Sequence, residues 1–200
     1  GDLTLIFAGE EENSIETDGR EKKDGSAADP KGVDAAIFSK GNLTLRGSGS
    51  ANIKAANRGI VAKVELIVAD GIFDLRTEDD IFCGKESVTL QGGAVRASAQ
   101  GDKGKGVSSD GAVILSGGSY VFAHTSEGIE GKTIEMSGGS FDISADDDGM
   151  NAREHYDKEE TKTKKKEANP EVWIRIVGGE LYVTAGGDGL DSNGDLIFSG

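Results

Sequence analysis

Residues 127–150, with the sequence EGIEGKTIEMSGGSFDISADDDGM, contain one complete period of a repeat that extends along most of the chain. The period begins with a step of one charged residue, one glycine and one apolar residue, Glu127-Gly128-Ile129. The same step returns as Asp148-Gly149-Met150. A fixed internal period of about 20 to 50 residues is typical of a solenoid, a propeller or another repeat array.

The apolar residue of this step recurs at seven positions, separated by 23, 22, 25, 22, 21 and 40 residues. The last interval contains one period and an insertion, and two of the copies lack the glycine. The seven positions are Ile37, Ile60, Phe82, Val107, Ile129, Met150 and Leu190.

Two more short β-strands follow the step in each period. The first alternates inward and outward residues, as in Ile134-Glu135-Met136, and a Gly-Gly turn at Gly138-Gly139 leads into the second. The predicted inward pairs of the second strand are Val95/Ala97, Tyr120/Phe122, Phe141/Ile143 and Leu181/Val183. Each period therefore holds three strands and three turns.

This pattern predicts an all-β parallel β-helix, in which each period is one coil and equivalent strands stack roughly 4.8 Å apart. The period is too short for a four-stranded propeller blade, and the leucine and asparagine ladder of leucine-rich repeats is missing. We expect one domain over residues 1–200. Because the chain ends on what reads as the start of another repeat, we also expect it to be a fragment of a longer protein.

Two charged stretches, residues 10–33 and 153–170, interrupt the period and are predicted to be loops. The second is either a solvated loop or a lid over a binding face.

The net charge of −14 argues against a generic nucleic-acid binder. No apolar run reaches the length that membrane insertion requires, and Cys83 as the sole cysteine excludes an intrachain disulfide.

Acidic residues recur at one corner of successive coils, where carboxylates from neighbouring coils would converge. Calcium requires six to eight oxygen ligands at about 2.3 to 2.6 Å, which such a corner can supply. The alternative is that aspartates beside glycine serve only as turn formers. The candidate calcium ligands are Asp79, Asp80, Glu127, Asp147, Asp148, Asp188 and Asp191.

Basic residues recur three positions after the apolar residue of the step. This row would repel itself unless acidic neighbours or a bound polyanion compensated it. It is therefore either a track for a uronate polymer or another carboxylated glycan, or a surface ladder paired with the corner acids. Five of the seven positions are basic, namely Lys40, Lys63, Lys85, Lys132 and Arg153, and Asp110 and Asn193 occupy the other two.

Two outward aromatic residues, Trp173 and Tyr182, are candidates for stacking on a pyranose ring. Trp173 could equally cover the base of the 153–170 loop.

Outward isoleucines at 67, 114 and 197 indicate a face that packs against a neighbouring chain or domain. No catalytic residue is assigned, because neither His124 nor His155 stands in a recognisable motif with a serine or cysteine.

Three phrases of the sequence resemble the β-helical carbohydrate-binding-domain family of secreted bacterial proteins: Asp34–Gly49, Gly84–Gly93 and Gly187–Asp195. The resemblance covers essentially the whole chain. It implies a right-handed parallel β-helix, related in architecture to pectate lyases, at an extracellular or cell-surface location. It also implies non-catalytic binding of cell-wall polysaccharide such as polygalacturonate or cellulose, with calcium at the acidic corners.

On this resemblance, the family's corner acids correspond to Asp79, Asp80, Asp147, Asp148 and Asp188, and its corner lysines to Lys40, Lys63, Lys85 and Lys132. The sequence departs from the pattern at Ile81, at Asp110 and in the long turn 101–106. Two other functions remain open. One is a polysaccharide lyase acting on uronate polymers, and the other is a structural or adhesive stalk.

Overall fold

The computed structural model describes residues 1–9, 12–18, 35–154 and 168–199. Its described residues form twenty β-strands. No helix among them has the length and apolar character needed to span a membrane. The strands are β1 Leu3–Ile6, β2 Glu12–Glu16, β3 Ala35–Ser39, β4 Leu43–Arg46, β5 Ser50–Ala55, β6 Arg58–Ala62, β7 Glu65–Val68, β8 Ile72–Thr77, β9 Phe82–Gly84, β10 Ser87–Leu90, β11 Ala94–Ala99, β12 Val107–Ser108, β13 Ala112–Thr125, β14 Ile129–Gly131, β15 Thr133–Ala145, β16 Met150–Ala152, β17 Trp173–Ile176, β18 Glu180–Ala185, β19 Leu190–Ser192 and β20 Asp195–Phe198.

The strands wind into seven stacked coils, and β20 begins an eighth. Each coil contributes one segment to each of three faces, and each strand pairs in parallel with its equivalent in the next coil. The first face contains β1, β4, β7, β10, β17, β20 and the first halves of β13 and β15. The second face contains β2, β5, β8, β11, β18 and the second halves of β13 and β15. The third face contains β3, β6, β9, β12, β14, β16 and β19.

The repeat register predicted from the glycine steps is confirmed. On the third face, Ile37 pairs with Ile60, Ile60 with Phe82, and Phe82 with Val107. The same line continues through Ile129 and Met150 to Leu190. The chain is therefore a parallel β-helix whose coils follow the period read from the sequence.

Glycine in the step is required because neighbouring coils approach closely there. A Cβ added at Gly149 would lie 2.6 Å from the carbonyl oxygen of Gly189 in the next coil, and it would also meet the side chain of Val183. The second glycine of each Gly-Gly turn has a different reason. Gly139, for example, has a φ of 87°, which L side chains rarely adopt.

The predicted inward pairs form the core. Five of the six residues Val95, Ala97, Tyr120, Phe122, Phe141 and Ile143 are at most 2% exposed, and Ala97 is 6% exposed. Leu181 and Val183, in coil 7, are partly buried against the core. The rings of Tyr120 and Phe141 stack with centroids 5.0 Å apart, and the Tyr120 hydroxyl donates a hydrogen bond to the Gly92 carbonyl at 2.5 Å. Neighbouring coils therefore hold one another by aromatic stacking inside the helix.

The structure corrects the predicted chain path in two places. Residues 12–16, assigned to a loop from the sequence, form β2 and pair with β5, because Ile15 supplies the inward apolar residue of a short strand. The strands β13 and β15 run without a break from the first face to the second, with shifts of register at the corners. Most of the predicted loops, residues 19–33 and 155–167, lie outside the described residues.

Candidate functional site

The turns between the second and third faces in coils 5 to 7 bring carboxylates together. Oxygen atoms of Glu127, Asp147 and Asp148 all lie within 4.8 Å of one another. The backbone N–H of Asp188 donates a hydrogen bond of 2.8 Å to Oδ1 of Asp148, which ties the turn of coil 7 to that of coil 6. Five of the seven predicted calcium ligands therefore belong to the turns and strand ends of three successive coils: Glu127, Asp147, Asp148, Asp188 and Asp191.

Two buried oxygen atoms in this acidic corner lack a hydrogen-bond donor among the described residues. They are Oδ1 of Asn151 and Oε2 of Glu127, and the latter lies 3.5 Å from the Lys105 ammonium in an ion pair. The amide nitrogen of Asn151 donates to Oε1 of Glu127 at 3.1 Å and to Oδ2 of Asp148 at 3.3 Å. A buried acceptor without a donor costs free energy, and carboxylate and amide oxygens are ligands that calcium prefers. The donor set therefore fits a hard divalent cation.

The electrostatics of the acidic corner also favour a bound cation. Burial is the largest of the effects that raise the pKa of Glu127 from 4.5 to about 7. A hydrogen bond with Glu130 and the charge of Glu130 raise it further. Burial also raises the pKa of Asp191, and the charges of Asp148 and Asp188 add to that shift. Each carboxyl is thus less readily ionised than in water, and a bound cation would favour the ionised form of both.

A buried ion cluster lies beside the acidic corner. The side chain of Glu130 is fully buried, and its two oxygens each lie 2.5 Å from a cationic nitrogen, one on Lys105 and one on Arg153. The Lys105 ammonium also lies 3.5 Å from Oε2 of Glu127. The cluster joins coils 4, 5 and 6, and the ion pairs offset the cost of burying Glu130.

Sequence analysis missed Asn151, Glu130 and Lys105 as parts of this site. A signal for the first two exists, because the residue directly after the apolar residue of the step is polar in four successive coils. The pairing register places these residues in one row: Ser108, Glu130, Asn151 and Asp191. Lys105 is the first residue of the step in coil 4, the position that Glu127 and Asp148 hold in coils 5 and 6, and it follows the long turn of that coil.

The other two predicted calcium ligands lie apart from the acidic corner. Asp79 lies 3.6 Å from the guanidinium of Arg58. Oδ1 of Asp80 accepts the backbone N–H of Lys105 at 3.0 Å, and burial, with the charge of Asp79 next, raises the pKa of Asp80. Both side chains have protein partners in coils 2 to 4, so the structure does not bring them to the carboxylates of coils 5 to 7.

The predicted row of basic residues divides into two parts. Lys40, Lys63 and Lys85 are exposed, stack in register through backbone hydrogen bonds, and form no ion pair with any described residue. We call these three the lysine row. A cavity of about 260 Å³ adjoins Lys63 and Lys85. The N–H of Asp110 donates to the Lys85 carbonyl at 3.1 Å, whereas Lys63 and Lys85 each donate to the residue before the equivalent lysine of the preceding coil. Asp110 therefore lies one residue out of register with the lysines and ends the row.

The remaining basic residues are neutralised by acidic partners. Lys132 lies 2.8 Å from Glu171 and 3.4 Å from Glu154, and its hydrogen bond to Glu171 raises its pKa. Arg153 pairs with the buried Glu130. Coils 5 and 6 therefore carry a paired ladder, whereas the lysines of coils 1 to 3 have no acidic partner among the described residues.

The two predicted aromatic platforms differ in accessibility. Trp173 is half-buried, and the Arg175 guanidinium lies 4.7 Å from the centroid of its ring, in cation–π contact. Arg175 also pairs with Glu135 at 3.5 Å, so one face of the indole is covered. Tyr182 is 62% exposed on β18. Of the isoleucines predicted to form a packing face, Ile114 is 38% exposed and the other two are half-buried.

Comparison with known proteins identifies the family. The family model of carbohydrate-binding domain-containing proteins matches residues 2–105 and again residues 100–200, which together cover nearly the whole chain. The chain belongs to this family. Its two matches meet in coil 4, so each half of the solenoid carries the family's pattern.

A solved structure supports the same architecture. It is a gadolinium derivative of the polysaccharide lyase-like protein from C. thermocellum, and it matches with a TM-score of 0.64 at 18% identity. The match covers 99% of this chain and 65% of that chain, so this chain spans about two thirds of its neighbour's length. At this identity the likeness shows the fold. No curated protein matches the sequence.

Proposed function

We propose that this carbohydrate-binding chain holds an acidic cell-wall polysaccharide of the polygalacturonate kind, with calcium bound at the acidic corner, and that it catalyses no reaction on it. The observation that carries the proposal is the lysine row. Lys40, Lys63 and Lys85 have no acidic partner among the described residues, in a chain whose net charge is −14. Family membership supports a carbohydrate as the ligand.

The geometry of the lysine row suits a linear polyanion. Equivalent backbone positions in successive coils repeat at roughly 4.8 Å, so the three lysines form a row of positively charged residues parallel to the helix axis. A uronate polymer carries one carboxylate per sugar and can engage such a line repeatedly. The cavity beside Lys63 and Lys85, also lined by Ser109 and Asp110, gives room for sugar hydroxyls.

Calcium has a supporting part in the proposal. Glu127, Asp147, Asp148 and Asn151 would hold it, and its charge would relieve the repulsion among the corner carboxylates of coils 5 to 7. The lysine row lies in coils 1 to 3, so calcium acts on this chain by stabilising the coils. We place the protein at the cell surface or outside the cell, where modules bind calcium with Kd values of about 10⁻⁴ to 10⁻³ M.

The experiment is retention of the protein on a panel of glycans that includes polygalacturonate and cellulose, in calcium and again in chelator. Retention on polygalacturonate that exceeds retention on neutral glycans supports the proposal. Stronger retention in calcium supports the proposed stabilising role of the metal. Failure on every glycan overturns the proposal and favours the stalk.

A uronate lyase is the second candidate function. It is favoured by one observation, namely that the cationic side chain of Lys105 lies 3.5 Å from Glu127, a carboxylate proposed to hold calcium. β-Elimination from a uronate requires a base next to a cation that neutralises the carboxylate. Release of unsaturated products from polygalacturonate, followed by ultraviolet absorbance and lost in Lys105→Ala, would favour the lyase over the binding module.

A further inference from the structure

A groove runs along the edge between the second and third faces. It consists of two adjoining cavities of about 580 and 320 Å³, and the side chain of Gln100 lines both. The larger cavity extends over coils 1 to 4 and the smaller one over coils 4 to 6. The lysine row follows the third-face strands, so it lies on a different edge.

Backbone pairing keeps this edge groove parallel to the helix axis. The N–H of Glu78 donates to the Ala55 carbonyl at 3.3 Å, and the N–H of Gln100 donates to the Thr77 carbonyl at 2.7 Å. Equivalent residues of coils 2, 3 and 4 therefore lie directly above one another. A groove of this form matches an extended polymer.

His124 enters the smaller cavity from an unusual backbone position. Phe122 pairs with Ile143 and Thr125 with Ala145, so two residues of β13 oppose one residue of β15 in a β-bulge. The φ of His124 is 55°, and it is the sole non-glycine residue with positive φ among the described residues. Its ring forms no hydrogen bond or ion pair with another described residue that would offset this backbone cost.

The chemistry of the edge groove differs from that of the lysine row. His124, Gln100 and Asp146 line the smaller cavity with exposed side chains that form no hydrogen bond with a described residue. The cations of the larger cavity are engaged, since Lys54 pairs with Glu16 at 2.8 Å and Arg76 lies 3.8 Å from Asp74. Carboxylates therefore prevail, and a polyanion would be repelled.

We propose that the edge groove is a second carbohydrate site, which binds the hydroxyl groups of a neutral glycan lying parallel to the helix axis. Imidazole, amide and carboxylate groups hydrogen-bond to vicinal hydroxyls as donors and acceptors. The bulge at His124 directs the ring into the groove, which accounts for a left-handed backbone at a residue that glycine would tolerate better. This site lies on a different edge from the lysine row, and none of the residues lining it is proposed to hold calcium.

The test is calorimetric titration with a soluble neutral gluco-oligosaccharide of six units, in chelator, on the wild type and two variants. His124→Gly removes the ring and retains a residue that accepts positive φ, so its melting temperature should not fall. Gln100→Ala removes the amide shared by the two cavities. Each variant should bind about three- to tenfold more weakly, as expected for one lost hydrogen bond. Lys63→Ala is the control and should bind as the wild type does.

Absence of binding by the wild type, or unchanged affinity in either groove variant, would overturn this second site. Titration of the same proteins with an oligogalacturonate separates it from the proposed function. The groove variants should keep their affinity for the acidic oligosaccharide, and Lys63→Ala should lose affinity for it. Failure at one site therefore leaves the other measurable.

Discussion

Asn151 donates a hydrogen bond of 3.1 Å to Glu127, yet Oδ1 of Asn151 and Oε2 of Glu127 are buried and accept no hydrogen bond from any described residue. The two residues occupy neighbouring coils at the same corner of the helix. The Lys105 ammonium lies 3.5 Å from Oε2 of Glu127 in an ion pair, but neither oxygen has a hydrogen-bond donor among the described residues. These two oxygens and the carboxylates of Asp147 and Asp148 are the reason for proposing a cation here.

Calcium is expected to raise the melting temperature of the protein. A ligand that binds only the native state adds about 2.7 kcal/mol of stability at a concentration a hundredfold above its Kd. Glu127→Gln should abolish most of this gain. The control is Asp142→Asn, which removes an exposed carboxylate of β15 outside the corner and should respond to calcium as the wild type does. Equal melting curves in calcium and chelator would contradict the proposed site.

In chelator, stability should fall as the pH rises from about 4.5 to 7. The pKa of Glu127 in the folded protein is about 7, above its ordinary value of 4.5, so between these values the folded state binds more protons than the unfolded state. Chemical denaturation at several pH values measures this slope. Glu127→Gln should flatten the slope, and a wild-type stability that rises over the same interval would contradict the assignment.

Substitution in the glycine step should destabilise the fold only where another coil covers the glycine. Gly149→Ala places a Cβ 2.6 Å from the Gly189 carbonyl oxygen, and we expect a loss of about 1 to 3 kcal/mol from overpacking. The matched control is Gly189→Ala, the same step in the next coil. No atom lies within 4 Å of its added Cβ, so the change should stay within about 0.5 kcal/mol. Equal losses in the two variants, measured by denaturant titration, would argue against close coil packing as the reason for this glycine.

Breaking the buried ion cluster should be costly. Glu130→Gln leaves Lys105 and Arg153 without their shared carboxylate, and removal of one partner from a buried ion pair costs about 3 to 5 kcal/mol. Glu135→Gln provides the comparison, because its pair with Arg175 is partly exposed and worth about 0 to 1 kcal/mol. Similar effects of the two substitutions on the free energy of unfolding would show that burial of Glu130 does not govern its contribution.

The fold was predictable because each period contains the same local constraints. Glycine at the close approach of coils, a Gly-Gly turn and alternating apolar residues fix one coil, and repetition fixes the register. The site was less predictable because it depends on contacts between coils at irregular turns. Lys105 holds the step position that Glu127 and Asp148 hold in coils 5 and 6. Its contacts, with Asp80 through its backbone and with Glu130 through its side chain, depend on how neighbouring coils pack.

The repeat pattern also could not predict which residues of the basic row have acidic partners. Glu171, which neutralises Lys132, is separated from it in sequence by the insertion that follows coil 6. Asp110 shares the spacing of the lysines but lies one residue out of step in space. A row defined by sequence spacing therefore contains both cations with acidic partners and cations that have none among the described residues. Only the latter, in coils 1 to 3, favour polyanion binding.

The most direct test of the central claim is the affinity of an oligogalacturonate for the wild type, Lys63→Ala and Lys103→Ala. Both substitutions remove one exposed positive charge, but Lys103 lies in the turn of coil 4, outside the lysine row. We predict that Lys63→Ala weakens binding by about tenfold or more, as for a charge-assisted contact, while Lys103→Ala leaves the affinity nearly unchanged. Equal affinities in all three proteins would contradict the claim that the lysine row holds an acidic polysaccharide.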